Sequence, residues 1–121
     1  MGKSSMKIGV LTSSRADYSI YYPLLKKLME DDSFDLSIIA FGAHASKKHG
    51  HTVDYIHQDG FEVKYLLETV SENDTPEDIS KSIGRTITVF SEIWTKASFD
   101  MVFALGDRYE MFAAVTSGIA F

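Results

Sequence analysis

The sequence contains no cysteine and no run of five or more basic residues, and it carries a formal net charge of −5. Without cysteine, disulfides and thiolate chemistry are excluded, and the composition suits a reducing cytoplasm. Without a basic run, nonspecific binding to nucleic acid is not expected, because such binding depends on neutralising phosphates. No apolar run approaches the roughly 20 residues that a bilayer span needs, so we expect no membrane insertion.

The 121 residues are 45% hydrophobic and 24% charged, which is enough for one globular domain with a core. The first residues, MGKSS, lack the apolar region of a signal peptide, and we interpret residues 1–5 as a leader or tag remnant. The sequence stops within the apolar stretch AAVTSGIAF, whereas chain termini usually lie at the surface. We therefore expect residues 6–121 to be a truncated N-terminal domain of a longer protein.

Four short apolar segments have the features of strands, at 6–12, 34–42, 61–67 and 99–106. The second is nearly continuous in apolar residues at SIIAF, which is typical of a strand buried on both faces of a parallel sheet. The third alternates apolar and polar residues over FEVKYLL, as a strand does.

A helical pattern follows each predicted strand. We expect Ser19 to cap the first helix, which places Pro23 in or near the first turn, where proline is tolerated. A short helix is predicted around Val53, and a long one from a Thr75 cap to about Lys96.

Gly84 lies in the middle of this long helix at a cost of about 1 kcal/mol relative to alanine, so we expect it to allow close packing. A last helix follows the fourth strand, and Asp107 is a natural N-cap for it. The order β-α-β-α-β-α-β-α predicts an α/β fold with a doubly wound, Rossmann-like parallel sheet.

Polar turns follow the first, second and fourth predicted strands. Because ligands of doubly wound sheets bind outside the carboxyl ends of the strands, we expect these turns to share one rim. The arginine fork and the helix N-termini suit a phosphate-bearing ligand, whereas carboxylates suit acid or base catalysis on another part of that ligand. The ionisable residues of these turns are Arg15, Asp17, His44, Asp107, Arg108 and Glu110.

Simpler roles fit some of these residues. Arg15 could be an arginine of a solvated loop. Asp107 could cap the helix, a role that is compatible with catalysis. Glu110 could interact favourably with the positive end of the helix dipole. The loop histidines lack the regular spacing of a metal site, and no cysteine accompanies them, so we expect no metal. These histidines are His44, His49 and His51.

Three motifs together resemble the hydrolysing UDP-N-acetylglucosamine 2-epimerases of sialic-acid-type sugar biosynthesis. They are TSSRADYS, FGAH followed by HTVDYIHQDGF, and ALGDRYEMFAAVTSGIA. The resemblance implies a two-domain enzyme of the glycosyltransferase-B type, with the active site between two Rossmann-like domains. The sequence then holds the N-terminal half, and the C-terminal nucleotide-binding domain is absent. The resemblance also implies elimination of UDP to a glycal and rehydration to free N-acetylmannosamine, with no metal or nicotinamide cofactor.

The same resemblance implies roles for individual residues. Asp107 corresponds to a catalytic carboxylate, Arg15 to the arginine that contacts the nucleotide diphosphate, and His44 to a histidine on the sugar side. Arg108 is implied to be a companion of Asp107 on the substrate side. The remaining substrate- or nucleotide-binding residues are Asp17, Ser19 and Glu110. A homo-oligomer is expected of the full-length protein, and the 121 residues alone are expected to be inactive.

Two other classes of α/β protein do not fit the sequence. A phosphoacceptor receiver domain needs an acidic pair at the end of the first strand, where this sequence has Leu11-Thr12-Ser13. A nicotinamide-binding unit needs G-x-G-x-x-G after the first strand, and the sequence lacks it. A nucleotide-sugar glycosyltransferase of the same fold and a non-catalytic nucleotide-binding module both stay open, because fold does not determine chemistry. A 2,4-diacetamido sugar or a GDP-linked sugar is an alternative to UDP-N-acetylglucosamine.

Overall fold

The computed structural model describes residues 5–71 and 73–121. The strands are β1 (Met6–Thr12), β2 (Phe34–Ala40), β3 (Val63–Leu66) and β4 (Met101–Ala104). The α-helices are α1 (Arg15–Glu30), α2 (Val53–Gln58), α3 (Pro76–Lys96) and α4 (Tyr109–Ser117), and two 3-10 turns lie at Gly42–Ala45 and Lys47–His49. The predicted order of strands and helices is confirmed. Residues 1–4 of the predicted leader lie outside the described residues.

The four strands form one parallel sheet in the order β3-β2-β1-β4. On one side, β1 pairs with β2 as far as Thr12 opposite Ala40. On the other side, β1 pairs with β4, with Leu11 opposite Ala104 at the carboxyl end. The carboxyl ends of β1, β2 and β4 therefore lie side by side. The turns that follow these strands start from the same rim of the sheet, which is the rim formed by the carboxyl ends.

Helices cover both faces of the sheet, as the doubly wound prediction requires. One core joins apolar side chains of β1 and β2 to those of α1 and α2, and the other joins β1 and β2 to α3 and α4. Val10 lies in the first core and Leu11 in the second, because successive residues of a strand point to opposite faces. This alternation buries β1 completely at its carboxyl half and fixes the position of the turn that follows it.

The start of α1 differs from the prediction. Ser14, not Ser19, is the N-cap: its backbone is extended, and its hydroxyl oxygen accepts a hydrogen bond from the Asp17 backbone N–H at 3.2 Å. Ser19 lies inside the helix, where its hydroxyl donates to the Arg15 carbonyl at 3.0 Å. Pro23 is consequently in the helix interior, where it leaves the Ser19 carbonyl without its usual helical donor.

The long helix α3 begins and ends where the sequence predicts. The Thr75 hydroxyl oxygen accepts from the Asp78 backbone N–H at 3.1 Å, and the last helical residue is Lys96. The predicted close packing at Gly84 is wrong, because Gly84 is exposed and no neighbouring atom lies within 4 Å of the position of a Cβ there.

The cap of α4 also differs from the prediction. This helix begins at Tyr109, and Arg108 occupies the N-cap position with an extended backbone and no side-chain cap bond. Asp107 lies one residue too early to cap the helix, so its predicted capping role is wrong. Its carboxylate is exposed instead.

Strand β4 is an edge of the described sheet, and apolar side chains surround it. Phe112 and Ile119 are 66% and 82% exposed, and Val102 of β4 is also exposed. Together with neighbouring residues, Val102 and Ile119 line an open cavity of about 540 Å³. None of the helices in residues 5–71 and 73–121 combines the length and hydrophobicity that a membrane span requires.

Candidate active site

Asp17 ties the turn after β1 to the turn after β4. Its Oδ2 accepts hydrogen bonds from the Ser13 backbone N–H at 3.3 Å and from the Ser13 hydroxyl at 2.8 Å. A Cβ on Gly106, which has a φ of +107°, would lie 3.1 Å from Asp17 Oδ1. Asp17 is only 8% exposed, so its carboxylate is buried where the two turns approach each other. The sequence placed Asp17 in a loop, whereas the structure places it in the first turn of α1.

The turn after β2 meets the same two turns through Gly42. The backbone N–H of Ala43 donates to the Ser13 carbonyl at 2.9 Å, and a Cβ on Gly42 would lie 2.9 Å from that oxygen. Gly42 has a φ of +58°, which favours glycine and ends β2 two residues before the predicted end. The same Cβ position is 3.6 Å from Glu110 Cγ, so the turn after β2 also lies close to the start of α4.

His44 is completely buried beneath these turns. Its Nε2 lies 2.8 Å from the Thr12 hydroxyl oxygen, and its Nδ1 lies 2.9 Å from the Thr52 hydroxyl oxygen. Burial lowers the pKa of His44 to about 4, although the nearby Asp17 charge acts in the opposite direction. The imidazole is therefore neutral at pH 7. The family resemblance implies that this side chain lies on the sugar side. The structure buries it completely, and a contact with a ligand stays a prediction.

Arg108 and Glu110 form a bidentate ion pair at the start of α4. Arg108 Nε donates to Glu110 Oε2 and Arg108 Nη2 donates to Glu110 Oε1, both at 3.0 Å. The Glu110 side chain is 3% exposed, whereas the Arg108 side chain is 55% exposed. Hydrogen bonding to Glu110 raises the pKa of Arg108, and the negative charge of Glu110 adds to this effect. The sequence offered both residues as ligand contacts, but only Arg108 reaches the surface.

Arg15 and Asp107 are both exposed. The Arg15 guanidinium carbon lies 4.1 Å from the centroid of the Tyr55 ring on α2, within the range of a cation–π contact. Ser19 is exposed one turn further along α1. Asp107 and Arg108 border a second open cavity, of about 420 Å³.

The sequence did not identify Tyr55 as a partner of Arg15. No local spacing links positions 15 and 55, and only the packing of α2 beside α1 brings them together. The two threonines that hold His44 were also missed. Among the described residues, no group of three or more histidine, aspartate or glutamate side chains could hold a metal ion.

A family model described as UDP-N-acetylglucosamine 2-epimerase matches residues 26–121. The chain belongs to this 2-epimerase family. The family resemblance predicted from the sequence is thereby confirmed, and the matched residues contain the second and third of its three motifs. The match includes His44, Asp107, Arg108 and Glu110.

Relatives of this chain include two bacterial proteins whose names state a reaction. A protein of Legionella pneumophila named UDP-N,N'-diacetylbacillosamine 2-epimerase (hydrolyzing) is 34% identical over 113 residues, which are 93% of this chain and 30% of that protein. A Campylobacter jejuni protein named GDP/UDP-N,N'-diacetylbacillosamine 2-epimerase (hydrolyzing) is 31% identical over 93% of this chain and 29% of its own length. The chain thus spans about 30% of the length of these relatives.

Solved structures show the same fold. The UDP-GlcNAc 2-epimerase of Neisseria meningitidis, bound to UDP-GlcNAc, aligns with a TM-score of 0.75 at 15% identity over 95% of this chain and 29% of that one. A protein of Listeria monocytogenes described as a UDP-N-acetylglucosamine 2-epimerase aligns with a TM-score of 0.79 at 15% identity, over 98% of this chain and 29% of that one. The doubly wound, Rossmann-like α/β fold predicted from the sequence is confirmed.

Proposed function

We propose that the whole protein is a nucleotide-sugar 2-epimerase of the hydrolysing type. One observation carries the proposal: in a member of the 2-epimerase family, the exposed Arg15, Asp107 and Arg108 follow the carboxyl ends of neighbouring parallel strands. Ligands of such folds bind outside these carboxyl ends. The names of the Legionella and Campylobacter relatives support the hydrolysing type.

The reaction proceeds by elimination and hydration. A base removes the proton from C2 of the sugar, the C1–O bond to UDP breaks, and UDP leaves as a C1=C2 double bond forms. Water then supplies a hydroxyl group to C1, and a proton returns to C2 from the other face. The products are UDP and N-acetylmannosamine. This scheme needs proton transfers and stabilisation of the departing diphosphate, which carboxylate and guanidinium groups provide.

The exposed and buried residues have different roles in this proposal. Asp107 acts as a catalytic carboxylate, Arg15 contacts the diphosphate, and Arg108 faces the substrate beside Asp107. Ser19 lies one turn beyond Arg15, where it shapes the approach to the nucleotide. The buried residues, which hold the turns in place, are Asp17, His44 and Glu110.

Residues 6–121 form part of the N-terminal domain of a two-domain, glycosyltransferase-B type enzyme under the same proposal. The chain covers about 30% of the relatives it matches, which leaves room for the second domain that binds the nucleotide. The whole protein is then a cytoplasmic homo-oligomer that acts on a UDP-sugar, and the 121 residues alone have no epimerase activity.

A 2,4-diacetamido sugar nucleotide is a second candidate substrate. The observation that favours it is the identity of 34% and 31% to two relatives whose names specify N,N'-diacetylbacillosamine. A glycosyltransferase activity has only the shared fold in its favour.

Isotope exchange tests these proposals together. The full-length protein is incubated in deuterated water with UDP-N-acetylglucosamine and, in parallel, with a UDP-linked 2,4-diacetamido sugar. We expect a free 2-epimerised sugar carrying deuterium at C2, and the faster substrate identifies the sugar. Labelled sugar that stays attached to UDP would indicate a non-hydrolysing epimerase. Unlabelled sugar transferred to an acceptor would indicate a glycosyltransferase.

A further inference from the structure

Glu110 is an ionisable side chain buried next to a candidate active site. It is the second residue of α4 and is 2% exposed as a whole residue. Both of its carboxylate oxygens accept hydrogen bonds from one guanidinium group, that of Arg108. Its Cγ packs 3.6 Å from the Cβ position of Gly42, beneath the turn that follows β2. A ligand at the sheet edge would meet Arg108 before it met Glu110.

The pairing leaves a defined set of donors on Arg108. A guanidinium group has five N–H bonds in a fixed plane. Nε and one hydrogen of Nη2 are directed to Glu110, so the remaining donors are the second Nη2 hydrogen and the two hydrogens of Nη1. Because these three share the plane set by Glu110, their direction is fixed although the Arg108 side chain is 55% exposed. Glu110 also balances the charge of Arg108, so the pair supplies directed hydrogen bonds more than net positive charge.

We propose that Glu110 is a positioning residue, which acts on the sugar nucleotide only by holding the Arg108 guanidinium in place. This role replaces the direct ligand contact expected from the sequence. The identity of the ligand in this proposal rests on the proposed function. The pairing of Glu110 with Arg108 does not depend on that identity.

A double-mutant cycle in the full-length protein tests this role. Glu110→Gln keeps the size of the side chain but replaces one acceptor oxygen by a donor, which faces a donor of Arg108. We expect kcat/KM for the sugar nucleotide to fall about 10- to 100-fold, as when the orienting partner of a catalytic group is lost. In an Arg108→Ala background, Glu110→Gln is expected to change kcat/KM less than about 3-fold, because partners in one network do not add. Equal losses in both backgrounds would overturn the proposal.

A matched control comes from α3. Glu77 also pairs with a cation, Lys81, but both side chains are exposed and their atoms are 3.8 Å apart. Glu77→Gln is expected to leave kcat/KM unchanged. Thermal unfolding of every variant separates loss of fold from loss of orientation, and a Glu110→Gln variant that melts at least 10 °C below the parent is replaced in the cycle by Glu110→Asp.

Chemical labelling supplies a readout that does not require turnover. Phenylglyoxal reacts with arginine side chains, and peptide mass spectrometry gives the rate at each position in the full-length protein. We expect Arg108 to react more slowly than the exposed Arg85 of α3, and Glu110→Gln to raise the Arg108 rate to that of Arg85. An unchanged Arg108 rate would overturn the positioning role. If the parent lacks turnover but the labelling result holds, the proposed function fails and the role of Glu110 stands.

Discussion

The Oδ1 atom of Asp17 lies 3.1 Å from the position that a Cβ on Gly106 would occupy. This close approach packs the first turn of α1, which begins at Arg15, against the turn that carries Asp107. Since Gly106 also has a φ of +107°, two independent constraints favour glycine there. The spacing between the proposed diphosphate contact and the proposed catalytic carboxylate therefore depends on a position with no side chain.

Gly106→Ala is expected to lower both stability and activity. The strained backbone and the close approach to Asp17 should cost at least about 1 kcal/mol of unfolding free energy. Thermal and urea unfolding of the full-length protein measure the first effect, and kcat/KM measures the second. Gly84→Ala is the matched control: it lies in α3 with open space around it, so a gain of about 0.5–1 kcal/mol is expected. A neutral Gly106→Ala would show that the two turns adjust to each other.

Asp107→Asn is expected to suppress turnover while leaving nucleotide binding almost unchanged. The amide cannot transfer the proton that the reaction requires, and general acid–base catalysis contributes about 100-fold or more. In the full-length protein, turnover assays measure the rate and calorimetric titration with UDP measures nucleotide affinity. Asp35→Asn, exposed on β2, serves as the control. Near-normal turnover would remove Asp107 from the mechanism.

Arg15→Ala is expected to weaken binding of UDP about 10-fold or more, because a charge-assisted hydrogen bond to the diphosphate is lost. Tyr55→Leu removes the ring on which Arg15 rests and should produce a smaller loss in the same direction. Calorimetric titration compares both with Arg85→Ala, which removes an exposed arginine of α3. Equal affinities for all three variants would contradict the role of Arg15.

Acidification is expected to destabilise the protein through His44. Burial holds its pKa near 4 in the folded state, below the ordinary value of 6.5, so the unfolded chain binds the proton more readily. Stability from this group is complete above pH 6.5 and falls as the pH drops towards 4, by about 3 kcal/mol. His44→Gln cannot titrate, so the stability difference between parent and variant should shrink over this range. Urea unfolding at pH 7 and pH 4.5 measures that difference, and a constant difference would contradict the buried, neutral imidazole.

Sequence patterns were sufficient for the architecture because they follow from backbone geometry. Apolar runs of strand length and leucines at helical spacing predicted the alternating elements, and the parallel sheet then placed three polar turns at one edge. The Thr75-Pro76 signal predicted the start of α3 to the residue. The start of α1 was misassigned because Ser14 and Ser19 both carry a hydroxyl able to cap a helix. The structure distinguishes them: Ser14 has an extended backbone and accepts from the Asp17 backbone N–H, whereas Ser19 lies inside the helix.

The depth of each polar residue could not be predicted from its position in the chain. Asp107 and Glu110 are three residues apart, yet one is exposed and the other is buried against Gly42. His44 likewise follows β2 at a place where ligand contact is common, but Thr12 and Thr52 enclose it from two other elements. Such differences arise from contacts between distant segments, which one sequence does not encode in any local spacing.

The outer edge of β4 has a practical consequence for work with the 121-residue chain. Within residues 5–71 and 73–121 this strand pairs only with β1, and its other side lies near the exposed Phe112 and Val115 of α4. An uncovered strand edge of this kind favours strand pairing between chains in concentrated solution. Such aggregation would be nonspecific, and it would increase with salt concentration because salt screens the repulsion between the negatively charged chains. A lysine placed by Val102→Lys would interrupt it, so that solubility screens on this chain can begin from a single surface change.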